Sequence, residues 1–570
     1  MMRLLLPLSL LALLSACSQH PTPSQTIKSE IDPPVDTASV TQVSFDEVQF
    51  REDIKTLSSD EFEGRAPTTR GEKLTLDYLT QAFKAIGLTG ANKGDYLQAV
   101  PMVSYTASEA QEVNLAGLTL KYREDVVLGS RHDNGGVDIK DAPLVFVGYG
   151  ISAPEYDWND YQGIDMTGKI AVMLVNDPGF ARPDSGLFNG KAMTYYGRWD
   201  YKYLEASKQG ALGAIIIHDT APASYPWSVV ENSWTGAQQD LVHSKEKQAE
   251  RVKVEGWITL DAATLLFDRS GISLENLSDR AANSPINLPL KQSADIQFAN
   301  TAEYANSYNV VATLPGAKAT DEHILFTAHW DHIGVDENRT DDKIYNGALD
   351  NASGTAGIMA IARQFVHQAK AGNPAKRSLT FIATTGEEQG LLGSRYYAAN
   401  PIYPIDKSVA VFNLDSTNIY GRTSDYTIVG KGKSELEQYL IEALVPQNRV
   451  ATSESRPESG GFFRSDHFSF AQKGVPAVFA GGGSQPVDES TRAYKARMKE
   501  IMKGCYHSTC DEYRDDWDLS GALEDIAVYY HAADSLANSS DWPGYYQGTE
   551  FHSLRAAKST ESEVTAKLED

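Results

Sequence analysis

Cysteine is nearly absent: 570 residues hold three, at positions 17, 505 and 510. So few thiols exclude a disulfide-dense small scaffold and make a poor thiolate-built structural metal site. Basic residues are also short. Lysine and arginine total 51 against 76 aspartates and glutamates, a formal net charge of −25, so the phosphates of a nucleic acid would be repelled rather than neutralised. The apolar stretch that opens the chain, from Leu4 to Leu14, is too short to span a bilayer. What is left is an acidic chain longer than one hydrophobic core usually supports. We expect two folded domains with tails.

Arg3 followed by this apolar stretch has the build of a signal peptide. Leu14-Ser15-Ala16-Cys17 looks like a bacterial lipobox, which implies cleavage after residue 16 and acylation of Cys17. The only membrane contact is then through that anchor. Ser18, rather than Asp, follows the cysteine and points to outer-membrane sorting, facing the periplasm or cell surface. Residues 17–42, with Pro21, Pro23, Pro33 and Pro34, read as a disordered linker. In an exported chain the two remaining cysteines, Cys505 and Cys510, are expected to pair, closing a small loop for about 2 kcal/mol on the chain-entropy model.

Order is expected from Ser44, where Ser44-Phe-Asp-Glu47 fits a capping box for a helix through Leu57. A second helix follows Gly71, with Leu74, Tyr78, Ala82 and Ile86 as its apolar stripe and Gly87 as its stop. Leu57 to Arg65 reads as a turn. From about Asp141 short β runs appear at Leu144–Gly150, Lys169–Val175 and Ala214–His218, and no ligand-like cluster accompanies them, so His218 and His243 are read as ordinary packed or surface residues. From Asn309 strands and helices alternate: strands at Asn309, Ile324, Leu379 and Val409, helices over Ser353–Gln368 and Leu391–Ala399. Such alternation predicts an α/β fold, a sheet covered by helices on both faces, with ligands beyond the carboxyl ends of its strands.

Three of those strands end in metal-capable side chains: His329 with Asp331, then Glu387 with Glu388, then Asp415. Asp350 opens the helix after the first of them, where a carboxylate can serve as a cap or, beside the other three termini, as a shared metal ligand. Imidazole and carboxylate ligands suit zinc, and paired ions polarise a carbonyl while generating a nucleophile near neutral pH. Adjacent Glu387 and Glu388 point different ways from one extended segment, so one can bind metal while the other takes a proton from water.

His329-Trp-Asp-His, Ala348-Leu-Asp-Asn-Ala-Ser-Gly354, Thr385-Gly-Glu-Glu-Gln-Gly-Leu-Leu-Gly-Ser394 and Phe412-Asn-Leu-Asp415 resemble, in order and spacing, the co-catalytic di-zinc aminopeptidase and glutamate carboxypeptidase family. Ser465-Asp-His-Phe-Ser-Phe and Tyr506-His507 continue the match, and Leu57 to Arg65 is similar to that family's amino-terminal signature. The resemblance implies a zinc-exopeptidase-like α/β fold with a mixed, mostly parallel sheet and an inserted, smaller β-rich protease-associated domain. On this reading residues 43–130 and 301–545 form the catalytic domain, 131–300 the insert and 546–570 an acidic, frayed tail. Two zinc ions per chain are implied: His329, Asp350 and Asp415 hold one, Asp350, Glu388 and His507 the other. Glu387 becomes the general base, Asp331 orients His329, and Tyr506 donates to the developing oxyanion. His332, Asp466 and His467 are set aside as structural, and His323 as a surface residue.

The implied activity is removal of amino-terminal residues from peptides. A carboxypeptidase or dipeptidase shares the metal set, with Arg395, Arg456 and Arg464 as candidate carboxylate binders. A non-catalytic binding protein on the same fold would lack ligands, and none is missing. Side-chain preference, oligomeric state and the choice among zinc, cobalt and manganese stay open. A bridge between Cys505 and Cys510 would staple the loop that carries His507 and Tyr506. Reducing it is therefore expected to lower activity without unfolding the chain, measured as turnover and circular dichroism after thiol titration; unchanged turnover contradicts this.

Overall fold

The protein is described by a computed structural model over residues 43–244, 247–248, 250–337 and 339–555. The expected signal peptide, the Cys17 lipidation site, the linker to residue 42 and the segment 556–570 lie outside the described residues.

The fold is mixed α/β. Its central strands read as continuous apolar runs because both faces are covered: Arg377–Thr384 and Ser408–Asn413 are buried at every position, and Ala319–His329 from His323 onward. The strand Ala319–His329 lies between these two, parallel to both, and Ala477–Gly482 adds a fourth parallel strand beyond Ser408–Asn413. On the opposite side the strand Leu288–Leu314 and then Leu97–Ala107 complete the sheet in antiparallel fashion.

Register places Phe326 beside Phe381 and Phe412 on one face, where the rings stack at 4.9 Å and 5.6 Å. The next-door residues Leu325, Ile382 and Val411 point to the other face and join Tyr397 and Phe470. The helices Glu47–Leu57, Arg70–Ile86, Ser353–Lys370 and Ser520–Asn538 pack together, while Leu392–Ala399 and His467–Ala471 form a separate pair. Parallel register brings the carboxyl ends of three central strands to one edge, and the functional side chains gather there.

The strand Leu288–Leu314 is long enough to serve two sheets. Its second half pairs in the main sheet, and its first half pairs with Gly136–Phe146 and Glu112–Leu115. Ile170–Leu174, Gly213–His218, Val254–Thr259 and Val126–Gly129 extend this second sheet, which has its own apolar core around Phe146, Ile215 and Phe267. Strands from 112–129 belong to it, so it begins earlier than residue 131.

Local expectations were corrected in four places. Asp46, not Ser44, caps the first helix, its carboxylate accepting from the Gln49 N–H at 3.0 Å. The helix Arg70–Ile86 stops at Gly87 and buries Ile86 as expected, but Thr75, Leu79 and Phe83 are buried where Leu74, Tyr78 and Ala82 were expected, one residue further on. The tail does not fray at 546: Phe551 is buried against Tyr545, Phe462 and Phe468, and Arg555 donates to the carbonyl of Val409.

The fourth correction is His323. It is 2 % exposed, stacked on Tyr403 at 3.9 Å, with Nδ1 at 2.9 Å from Thr380 Oγ1. Its strand enters between two others at this point, so even the first residue of the apolar run is covered. Burial pushes its pKa down to about 4, against the pull of Asp321. The unfolded chain then binds a proton at about pH 6.5 that the folded chain refuses, so stability present above that pH is lost as pH falls toward 4, by about 3 kcal/mol. Chemical denaturation across this range is expected to show a shallower acid loss in His323→Phe than in wild type; parallel curves contradict the assignment.

Candidate metal centre

The strand Ala319–His329 delivers His329 at its last residue, fully covered, and the chain turns through Trp330 to Asp331 and His332. Glu387 and Glu388 follow the neighbouring strand, and Asp415 follows the strand on the other side. Asp350 comes from the turn that starts the helix Ser353–Lys370, and its peptide bond to Asn351 is cis. His507 arrives from a loop near the end of the chain.

These side chains converge on Asp350. Its Oδ1 lies 3.3 Å from His329 Nε2 and its Oδ2 lies 3.4 Å from His507 Nε2, so one carboxylate stands between two imidazoles. His329 Nε2 is also 3.4 Å from Asp415 Oδ1, and His507 Nε2 is 2.9 Å from Glu388 Oε2. The structure thus brings together all five expected ligands. Three overlapping donor groups have their atoms within 4.8 Å of one another: His329 with Asp350 and Asp415, His329 with Glu387 and Glu388, and His332 with Asp350 and Glu388. Buried and half-buried imidazole and carboxylate donors at this spacing fit a metal of the zinc type.

His332 was set aside as support, yet its Nδ1 lies 2.6 Å from Glu388 Oε1 and its Nε2 is buried without a hydrogen-bond partner. It shares Glu388 with His507, one imidazole on each carboxylate oxygen. Asp466 bonds Thr384 and stands close enough to Glu387 to raise its pKa, whereas His467 is enclosed by Phe462 and Phe479. Tyr506 is 75 % exposed and stacks on His507 at 3.9 Å. Cys505 and Cys510 form the disulfide that closes its loop.

Asp331 departs from the role expected of it. His329 Nδ1 meets the backbone carbonyl of Asp331 at 3.1 Å, while the carboxylate is 3.8 Å away. That carboxylate accepts instead from the backbone N–H groups of Glu387, at 3.1 Å, and Glu388, at 3.4 Å. It therefore holds the turn that presents the paired glutamates.

The electrostatics separate that pair. Burial, with Asp415, Glu388 and Asp466 nearby, drives Glu387 well above the usual carboxylate range. Burial would lift Glu388 too, but His507 and His332 pull it below. Burial also opposes protonation of His329 and His507, yet the surrounding carboxylates outweigh it and raise both imidazoles. Two adjacent acids with opposite shifts have the environments that distinct proton-transfer and ligand roles need.

One contributor escaped the sequence reading. Asp511 accepts the N–H groups of Leu349 and Asp350, both at 2.9 Å, and its carbonyl accepts from the Ala348 N–H. It follows Cys510 directly, so the disulfide loop is fastened to the Asp350 turn. An isolated aspartate after a cysteine carries no motif. Only the need of a tight turn for acceptors could have pointed to it.

Residues 309–531 match the family model for Peptidase family M28. The chain is 25% identical over 236 residues to Leupeptin-inactivating enzyme 1 of Streptomyces exfoliatus, covering 40% of this chain and 49% of that protein. It is 26% identical over 263 residues to Aminopeptidase Y of Saccharomyces cerevisiae, covering 44% and 43%. The chain spans about half the length of the curated relatives it matches. A solved aminopeptidase from Aneurinibacillus sp. strain AM-1 aligns over 86% of this chain and 94% of its own, at 21% identity and a TM-score of 0.48.

Asp511→Ala leaves the half-buried Leu349 N–H and the buried Asp350 N–H without their acceptor. We expect a loss of about 2–4 kcal/mol in denaturant unfolding; a loss under about 0.5 kcal/mol contradicts the clamp.

Proposed function

We propose, on the Peptidase family M28 match over residues 309–531 together with the site geometry, that the protein is a zinc-dependent aminopeptidase holding two zinc ions per chain. The observation that carries this reading is Asp350 between His329 and His507, with Asp415 beside one imidazole and Glu388 beside the other. His329, Asp350 and Asp415 would hold one ion; Asp350, Glu388 and His507 the other. When bound, zinc supplies a Lewis acid that polarises the scissile carbonyl and acidifies water.

The chain's own groups do the rest. Glu387, buried beside His329, accepts the proton of the attacking water and returns it to the leaving amine. Asp331 holds Glu387 and Glu388 in place through their N–H groups. Tyr506, lying on His507, donates to the oxyanion as it forms.

Residues 131–300, with the strands from 112–129 that complete their sheet, are read as an inserted protease-associated domain that borders the substrate entrance. Met193 donates its N–H to the Pro457 carbonyl at 3.1 Å, and Tyr195 packs on Phe463 and Phe468, which supports that placement. The Cys505–Cys510 bridge supports an exported protein, since disulfides persist in oxidising compartments. The lipid anchor at Cys17 remains part of this proposal.

One observation favours a carboxypeptidase as the second reading. Arg395 stands 3.8 Å from Asp240, but among the described residues neither Arg456 nor Arg464 has a carboxylate partner: Arg456 donates to the Ser224 carbonyl and Arg464 lies over Tyr225.

Peptides with free and acetylated amino termini separate the two. The aminopeptidase reading expects cleavage of the free form alone, abolished by chelation and restored by zinc; undiminished cleavage of the acetylated form overturns it. Glu387→Gln is expected to lower kcat by about 10²–10⁴-fold with zinc content unchanged. Full activity in that variant removes Glu387 as the base.

A further inference from the structure

Arg65 is 1 % exposed, and among the described residues its guanidinium forms no salt bridge. It donates instead to four backbone carbonyls: Nε to Trp330 at 2.8 Å, Nη1 to Leu57 and to Asn346 at 2.6 Å each, and Nη2 to Gly347 at 2.8 Å. Trp330 lies between His329 and Asp331, and Asn346 and Gly347 lead into the turn of Asp350. One planar cation therefore spans both segments that carry ligands on the Asp350 side.

The backbone is bent to put it there. Glu63, Gly64 and Arg65 all take left-handed conformations, with φ of 50°, 61° and 51°. A Cβ at Gly64 would fall 2.4 Å from the Tyr345 carbonyl oxygen, so the turn lies directly against the chain entering the Asp350 segment. Left-handed geometry at two non-glycine residues costs energy that surrounding contacts must offset. The guanidinium also places a positive charge within electrostatic reach of Asp511, Asp331, Asp350 and Glu388. Burial lowers its pKa to about 10, and Asp511, Asp331, Asp350 and Glu388 oppose the fall, so it stays cationic at neutral pH.

We propose that Arg65 is the positioning residue of the metal centre: through four carbonyls it sets the spacing between the His329–Asp331 segment and the Asp350 turn, and its charge offsets the excess of carboxylates. It thereby sets metal affinity and ligand spacing without touching substrate. The proposal rests on the zinc reading above but not on the reaction assigned to it. Asp511 holds the same turn from the N–H side, so the segment from Gly347 to Asp350 is fixed by a cation at its carbonyls and an anion at its amides.

The test compares Arg65→Met and Arg65→Lys with Arg377→Met. Arg377 is an equally buried arginine that donates to the Leu536 carbonyl and pairs with Glu322, at the opposite end of its strand from the site. Zinc affinity is measured by chelator competition, folding by circular dichroism and denaturant unfolding, and kcat and KM on an unblocked peptide.

We expect Arg65→Met to weaken zinc binding by about 10–100-fold. Arg65→Lys should recover part of that affinity, since an ammonium keeps the charge but cannot serve four carbonyls in one plane. Its kcat should fall with KM little changed. Arg377→Met should lower stability and leave zinc affinity as in wild type. Wild-type zinc affinity in folded Arg65→Met overturns the proposal, as does an equal loss of affinity in Arg377→Met. If Arg65→Met does not fold, Arg65→Lys decides: wild-type zinc affinity and kcat overturn it, and a loss of both with the fold kept supports it. Zinc affinity is read without turnover, so an enzyme that binds zinc but cleaves no peptide refutes the reaction while the role of Arg65 is still judged.

Discussion

The structure depends on keeping acidic groups close together away from water. Asp331, Asp350 and Asp511 are buried close together, with Glu387, Glu388 and Asp415 half-buried beside them. Removing several like charges from solvent is costly unless each finds a donor or an opposite charge. The fold supplies both. His329, His332 and His507 face the carboxylates from three sides, Arg65 lies behind them, and backbone N–H groups satisfy Asp331 and Asp511. A divalent cation is the remaining charge that such an arrangement favours.

Each member reaches the pocket from a different part of the chain. Parallel strands align the exits of His329, Glu387 and Asp415, because equal register brings strand ends to one edge. The Asp350 turn and the His507 loop are not strand ends and need their own restraints. The turn is held from its carbonyl side by Arg65 and from its amide side by Asp511, and the loop is closed by a disulfide next to Asp511. Backbone contacts carry most of this positioning. The chain can thus place ligands accurately without spending side chains that the chemistry needs.

That division explains what the sequence revealed. Strand ends were legible at His329, Glu387 and Asp415, because a continuous apolar run that stops at a ligand-type residue shows both the strand and its exit. The separation of Glu387 from Glu388 was expected from an extended segment, whereas the two lie in a bend and turn after the strand, and their opposite shifts come from their different neighbours. His507 belongs to no periodic pattern and came only from the family resemblance. Arg65 read as part of a turn, since its work is done on carbonyls that no pattern marks. Asp511 was missed for the same reason on the amide side. His323 and Phe551 show a further limit: burial depends on which strand or segment lies alongside, and nothing in the local sequence tells that a strand's first residue is roofed by Tyr403 or that a tail carries an apolar anchor.

The spread of the site along the chain has a thermodynamic consequence. Donors at 329, 350, 388, 415 and 507 meet only when the central sheet is paired and the His507 loop has docked. No short segment of the unfolded chain holds the complete set, so on the proposed zinc reading the metal-binding free energy would go to the folded state and stabilise it by mass action. The same linkage runs in reverse. On the zinc reading proposed above, loosening Arg65 would lower metal affinity and so remove stability beyond the broken hydrogen bonds themselves. On that reading, metal occupancy and the order of this turn would be two readings of one equilibrium, with Asp350 as the residue they share.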